Sequence, residues 1–304
     1  MHLCANLEKM KIELKYWLIL GVLALTWGSS FILIKQGLVS FTPYQVGALR
    51  LSIAGGVLAI WGIPSLFKIP KNKLKYVALA GFCGNFIPMF LFPMAQEHVS
   101  SSMAGILDSL VPLFILLFGS LFFNLKGTKN QTIGAIIGFL GAVLLIGGDG
   151  LSGENSLMHC LLIVLATALY GLNSLILTTY LNDVPSFQLS SALFTIWLLP
   201  AFVILVFSGF FQTFEGTTEQ LHSLGYVSIL GLVGTALAMI LFYKLIQATG
   251  SMFASMVTYL MPIISVFWGF MVGEKISWMH LFGFMMILSG VYLTQKKSKE
   301  LEKN

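Results

Sequence analysis

Charge is what this chain has least of. Only 10% of its 304 residues are Asp, Glu, Lys or Arg, against about a quarter in ordinary soluble domains. Seventeen residues are basic, and Arg50 is the single arginine among them. Cysteine is equally sparse. Cys4, Cys83 and Cys160 are odd in number and scattered, which excludes a disulfide framework and a metal-ligand spacing. The motifs of enzymes are missing as well. There is no His-Glu-x-x-His pair, and His159 and His280 have no carboxylate beside them. No glycine-rich nucleotide loop is present, so direct use of ATP is excluded. A catalytic set, a resident metal and a cofactor are therefore not expected.

What the chain does have is apolar length. It is 57% hydrophobic with a mean hydropathy of +0.89. The apolar residues fall into ten blocks: 16–34, 43–64, 76–96, 99–123, 132–148, 157–180, 185–209, 224–246, 252–272 and 278–295. Each matches the roughly 17–25 residues that a helix needs to cross a bilayer core. Barrel strands would be shorter and would alternate polar with apolar, which these blocks do not. The sequence predicts an all-α polytopic membrane protein whose partner is the lipid bilayer. The first block has a basic flank, but it is long and lacks a small-x-small cleavage site, so it is read as an uncleaved helix.

The net charge of +5 has its explanation in topology, so nucleic acid is not an expected partner. With the N-terminus in the cytoplasm, fourteen lysines fall on inside segments and only Lys35 and Lys275 fall outside. The positive-inside rule then places both termini in the cytoplasm.

The two halves repeat. Gly81, Gly84, Phe92, Ala104, Leu110, Pro112 and Gly119 recur 150 positions later as Gly231, Gly234, Phe242, Ala254, Leu260, Pro262 and Gly269. Trp27-Gly28 corresponds to Tyr170-Gly171 and Pro43 to Pro185 at slightly smaller offsets. Five helices per half is an odd number, so the second half enters the membrane in the opposite sense. Ten transmembrane helices built as two inverted five-helix repeats are typical of secondary transporters, with cargo bound near the midplane. The expected organisation is a cytoplasmic segment 1–15, a first repeat 16–148, a second repeat 157–295 and a cytoplasmic tail 296–304.

The stretches "LTWGSSFILIK", "PYQVGALRLSIAG", "SSSMAGILDSLVPLF" and "GSMFASMVTYLMPIISVFWGFMVGEKI" resemble the EamA family of the drug/metabolite transporter superfamily. The resemblance covers residues 16–295. It implies ten helices in the cytoplasmic membrane, both termini in the cytoplasm, and efflux of small metabolites or drugs by alternating access. The family's Gly-Glu after the ninth helix is present as Gly273-Glu274, but its counterpart in the first repeat reads Phe123-Asn124.

Two charges stand inside apolar blocks. Asp108 is about 12 Å from the outer end of the fourth, and Arg50 about 10 Å from the outer end of the second. Each sits among small residues at helical spacing, which marks a helix-contact or cavity face. Isolated, each would cost at least about 2.5–3.5 kcal/mol at such depth. Three readings compete: a structural clamp between the second and fourth helices, which is favoured, contact with cargo, and a coupling proton carried by Asp108. Pro112 denies the Asp108 carbonyl its N–H partner, and Pro262 does the same to Thr258. A kink is expected at each place, on helices facing the pathway. Trp27, Ser29, Ser30, Asn85, Tyr170, Asn173 and Tyr259 complete the candidate lining, each with packing as the simpler alternative.

With one intramembrane arginine, dianionic cargo is disfavoured, and the expected cargo is amino acid-like, neutral or zwitterionic, or a drug. The alternatives are a passive channel or facilitator, or a superfamily carrier of another metabolite class. Protons are the candidate coupling ion, and the chain is expected to be a monomer or a homodimer.

Overall fold

A computed structural model describes residues 14–125, 128–152, 156–274 and 277–295. Of the lysines behind the orientation argument, Lys9, Lys11, Lys126, Lys275, Lys296, Lys297, Lys299 and Lys303 lie outside that set, as does Cys4. The described residues form ten principal helices: α1 (Leu14–Gly37), α2 (Pro43–Lys68), α3 (Lys71–Gln96), α4 (Ser101–Phe122), α5 (Lys129–Ser152), α6 (Leu157–Tyr180), α7 (Ser186–Phe207), α8 (Thr218–Thr249), α9 (Ser251–Met271) and α10 (Trp278–Gln295). Among the described residues nine are long and apolar enough to cross a bilayer, and α10 is a shorter apolar helix. No strand occurs among the described residues. Caps set several starts. Thr42 and Gln45 close a capping box at α2, and the Thr217 hydroxyl accepts the Gln220 N–H at α8.

The packing obeys the inverted repeat. Helix α1 lies against α8 and α9, and its counterpart α6 lies against α3 and α4. Helix α2 pairs with α7, and α5 with α10. Alternate connections gather at the same end of the bundle. At one end the Gln45 amide donates to the Ser208 carbonyl at 3.1 Å, and Ser156 N–H donates to the His98 carbonyl at 3.2 Å. At the other end Lys73 pairs with Asp183, and the Gln247 amide donates to the Val184 carbonyl at 2.6 Å. The Lys73 hydrogen bond holds the Asp183 carboxyl below the usual carboxylate range. Asp183 is exposed, so water screens that pair and its contribution to stability is small.

Glycine sets the closest approaches, because lipid offers no hydrophobic drive for helices to associate and packing must do the work. A Cβ on Gly28 would lie 2.5 Å from Ile264 Cβ and 2.9 Å from the Met261 carbonyl oxygen. Its counterpart Gly171 is as tight, 2.8 Å from Phe114 Cβ. These contacts seat α1 on α9 and α6 on α4.

Both halves also interrupt their helices at repeated places. Helix α3 takes a π-helical turn at Phe82–Phe86 and α8 at Leu232–Leu237, 150 positions on. Such turns inside α-helices are frequent at functional sites. Helix α4 breaks after Asp108, where Ser109 and Leu110 bond three residues back to Ile106 and Leu107, and it resumes at Val111 with Pro112 in the new first turn. A proline is tolerated there because its missing N–H would have no helical partner. The second half has a break that its prolines do not mark. Helix α9 breaks at Ser255–Met256, and Pro262 lies within the continuous segment Val257–Met271. The reason is local: the hydroxyls of Ser255 and Thr258 bond the carbonyls of Met252 and Ser255, competing with the helical ladder.

Gly28→Val is expected to destabilise the protein by about 1–3 kcal/mol, the usual cost of overpacking. Gly21→Val, at a glycine with nothing within 4 Å, is the control and should be close to neutral. Unfolding in mixed micelles measures both.

Candidate functional site

The broken helices α4 and α9 and the π-turn helix α8 meet α1, α2, α3 and α6 around a central cavity. It has about 670 Å³ of empty space, counting that at its open mouth. Much of its wall is contributed in repeat-related pairs. Trp27 and Tyr170, Phe92 and Phe242, and Asp108 and Thr258 all line it. The aromatic contacts are themselves paired: Trp27 meets Phe242 edge-on at 4.9 Å, and Tyr170 stacks on Phe92 at 5.9 Å. The Trp27 indole N–H donates to the Gly234 carbonyl at 2.9 Å, a bond made where the π-turn bends α8.

Arg50 and Asp108 both line this cavity and are only 5% and 3% exposed. They do not form the bridge expected of a clamp; no nitrogen–oxygen contact of 4.0 Å or less joins them. Instead Arg50 Nε donates to the Thr235 hydroxyl at 2.7 Å, and that hydroxyl donates to the Leu230 carbonyl at 2.9 Å. The π-turn makes this possible, since it aims Thr235 at α2 and lets its hydroxyl reach five residues back. Asp108 Oδ1 is buried with no hydrogen-bond partner. Two opposite charges thus face one cavity, each incompletely satisfied. Tyr170 lines the same cavity.

Of the eleven residues nominated for the site, Trp27, Ser30, Arg50, Asp108, Tyr170 and Asn173 line the cavity. Asn85 is buried beside it and donates to the Tyr243 hydroxyl at 3.1 Å, a link between α3 and α8. Pro112 and Pro262 are buried outside the lining, next to the lining residues Val111 and Met261. Tyr259 is half-buried, also outside it. Ser29 instead accepts the Trp268 indole N–H at 2.9 Å.

Sequence reasoning missed Thr235, Met239, Phe242 and Thr258. The signal for two of them was available, because Phe242 and Thr258 are the repeat counterparts of Phe92 and Asp108. Nothing in the sequence marks Thr235 as the partner of Arg50, since a π-turn has no signature of its own.

The role of Glu274 was also unread. Its carboxylate accepts the N–H groups of Ser101 and Ser102 at 2.7 and 2.9 Å and the Ser102 hydroxyl at 2.6 Å. It caps α4 from the end of α9, where the helix dipole favours a negative charge. Close contacts of Gly105 with Ser265 and of Gly269 with Ser102 continue this seam.

Two segments of the chain, residues 15–147 and 157–295, match the model of the EamA-like transporter family. The chain belongs to that family. Among EamA relatives, the inner membrane transporter YedA of Escherichia coli K12, itself of uncharacterized function, is 26% identical over 91% of this chain and 92% of its own length. A protein of Salmonella typhimurium named a probable amino-acid metabolite efflux pump is 23% identical over 90% of this chain and 93% of its own. A solved crystal structure shares the fold with a TM-score of 0.62 at 17% identity, covering 95% of this chain and 99% of that one. The protein is thus a multi-pass membrane transporter of an EamA type, and not an enzyme.

Single cysteines at Ser30 and Thr258, which line the cavity, are expected to react with a small water-soluble thiol reagent in a background lacking the native cysteines. Cysteines at Asn85 and Pro112 should not react. Glu274→Ala is expected to loosen the start of α4 by about 1.5–3 kcal/mol, the worth of hydrogen bonds to a charge. Faster amide exchange at Ser101 and Ser102 would register it.

Proposed function

We propose that this protein is a secondary transporter that exports a small, amino acid-like metabolite across the cytoplasmic membrane by alternating access, with both termini in the cytoplasm. The observation that carries the reading is a central cavity walled by paired residues of two inverted repeats, where carriers of this architecture bind cargo. The break in α4 and the break in α9 supply two hinges beside it. The seam at Glu274 closes one end between the same two helices, and the counterpart end carries Asn124 in place of a glutamate. Relatives named for amino-acid efflux support the cargo class, and the placement of lysines supports the orientation. Nothing in the charge pattern suggests a filter: the charges facing the cavity are one arginine and one aspartate, not a ring.

Purified protein in proteoliposomes is expected to give saturable uptake of a radiolabelled neutral amino acid, stimulated by unlabelled amino acid on the opposite side. Flux that rises linearly with concentration and ignores the opposite side would refute the carrier and favour a channel.

A further inference from the structure

We infer that Arg50 and Asp108 bind the two opposite poles of a single zwitterion, an apolar α-amino acid whose side chain points at the second repeat. The inference rests on the transport reading above and goes on to name the cargo's chemistry and its orientation.

The argument starts from the cost of unpaired charge. Arg50 and Asp108 are buried, face the same cavity, and are not bridged to each other. A buried charge left without its partner is strongly destabilising. A cation as cargo would satisfy Asp108 and add nothing for Arg50; an anion would do the reverse. A molecule carrying both charges close together satisfies both at once, and the α-carbon of an amino acid bears such a pair, an ammonium and a carboxylate.

Arg50 is prepared for the carboxylate. Thr235 occupies its Nε at 2.7 Å, and the two terminal nitrogens have no protein hydrogen-bond partner. A guanidinium fixed at one donor presents the others as a fork that suits a carboxylate. Thr235 is therefore a positioning residue, and its own hydroxyl is anchored on the Leu230 carbonyl at 2.9 Å. Asp108, with Oδ1 unpartnered, takes the ammonium group. It stands at the end of the first segment of α4, where the break frees it from a regular helical environment.

The rest of the cargo is constrained by what the second repeat lacks. Its share of the wall is uncharged: α8 and α9 supply the apolar Met239, Phe242, Val257 and Met261, and the polar members are Ser255 and Thr258 on α9 with Tyr170, Asn173 and Ser174 on α6. The positions equivalent to Arg50 and Asp108 hold Ala192 and Thr258, so a second pair of charges has no counterpart there. A lysine or glutamate side chain would find no opposite charge on that side. A leucine or phenylalanine side chain would find two flexible thioethers and an aromatic ring, which adapt to apolar groups of different shapes.

The test is counterflow of tritiated L-leucine in proteoliposomes, with L-leucine, leucine methyl ester, N-acetyl-leucine, L-lysine and L-glutamate as competitors. In the wild type, leucine should compete about tenfold or more better than either blocked analogue, as expected for loss of a hydrogen-bonded charge contact. Lysine and glutamate should compete weakly. Arg50→Gln should abolish discrimination against the methyl ester while keeping it against N-acetyl-leucine, and Asp108→Asn should do the opposite. Thr235→Val should weaken leucine and lessen rejection of the ester alone, and Thr235→Ser should restore both; this pair decides the matter where a charge variant fails to fold. Equal competition by all analogues in the wild type, or identical shifts in the two charge variants, would overturn the inference. Saturable exchange of a lipophilic cation with none of any amino acid would overturn it too, while leaving the transport reading intact. Absence of saturable exchange for every solute would remove both.

Discussion

The close approach of α1 to α9 at Gly28, and of α6 to α4 at Gly171, is the constraint on which the rest of the structure depends. At each place a side chain would collide with the neighbouring helix, so only glycine permits the contact. The residue immediately before each glycine is an aromatic, Trp27 or Tyr170, and each is turned into the central cavity. One turn of helix therefore both seats the scaffold and furnishes the wall. Because the arrangement occurs in both repeats, the cavity lies between the halves, where a rocking motion of one against the other would change its access.

The chemistry does not repeat as the scaffold does. Aromatic pairs, glycine contacts and π-turns recur at fixed offsets, whereas Arg50, Asp108 and Glu274 occur once. The two π-turns show how one backbone feature was put to different uses. In α3 it places Asn85 against Tyr243, a link between helices. In α8 it places Thr235 against Arg50 and so sets the orientation of a charge. Glu274 makes the two ends of the bundle unlike, since it ties α9 to α4 at one end alone. A duplicated fold acquires a direction through such single substitutions.

Most of the architecture was legible in the sequence because bilayer thickness fixes helix length and water on both sides concentrates lysine in the loops. Ten apolar blocks became ten helices, with ends shifted by a few residues. The repeat, read from glycine, proline and phenylalanine, matched positions of the two halves that share the cavity wall, such as Phe92 with Phe242 and Asp108 with Thr258. The site was legible only in outline. Asp108 and Arg50 stood out as charges in apolar runs, but their relation did not, because depth along a helix says nothing about rotation toward a partner. The break at Ser255–Met256 was not legible for a similar reason: hydroxyls bonding back to the chain at Ser255 and Thr258 leave no distinctive pattern. Thr235 was invisible, since its role depends on a turn that no residue type announces.

The central claim is that two unbridged charges in one cavity await a ligand with both charges. The most direct measurement is an experimental structure of the protein with L-leucine bound. The account predicts the carboxylate within hydrogen-bonding distance of the Arg50 guanidinium, the ammonium group against Asp108, and the side chain directed at Phe242 and Met261. A direct Arg50–Asp108 salt bridge, with the ligand held elsewhere, would contradict it.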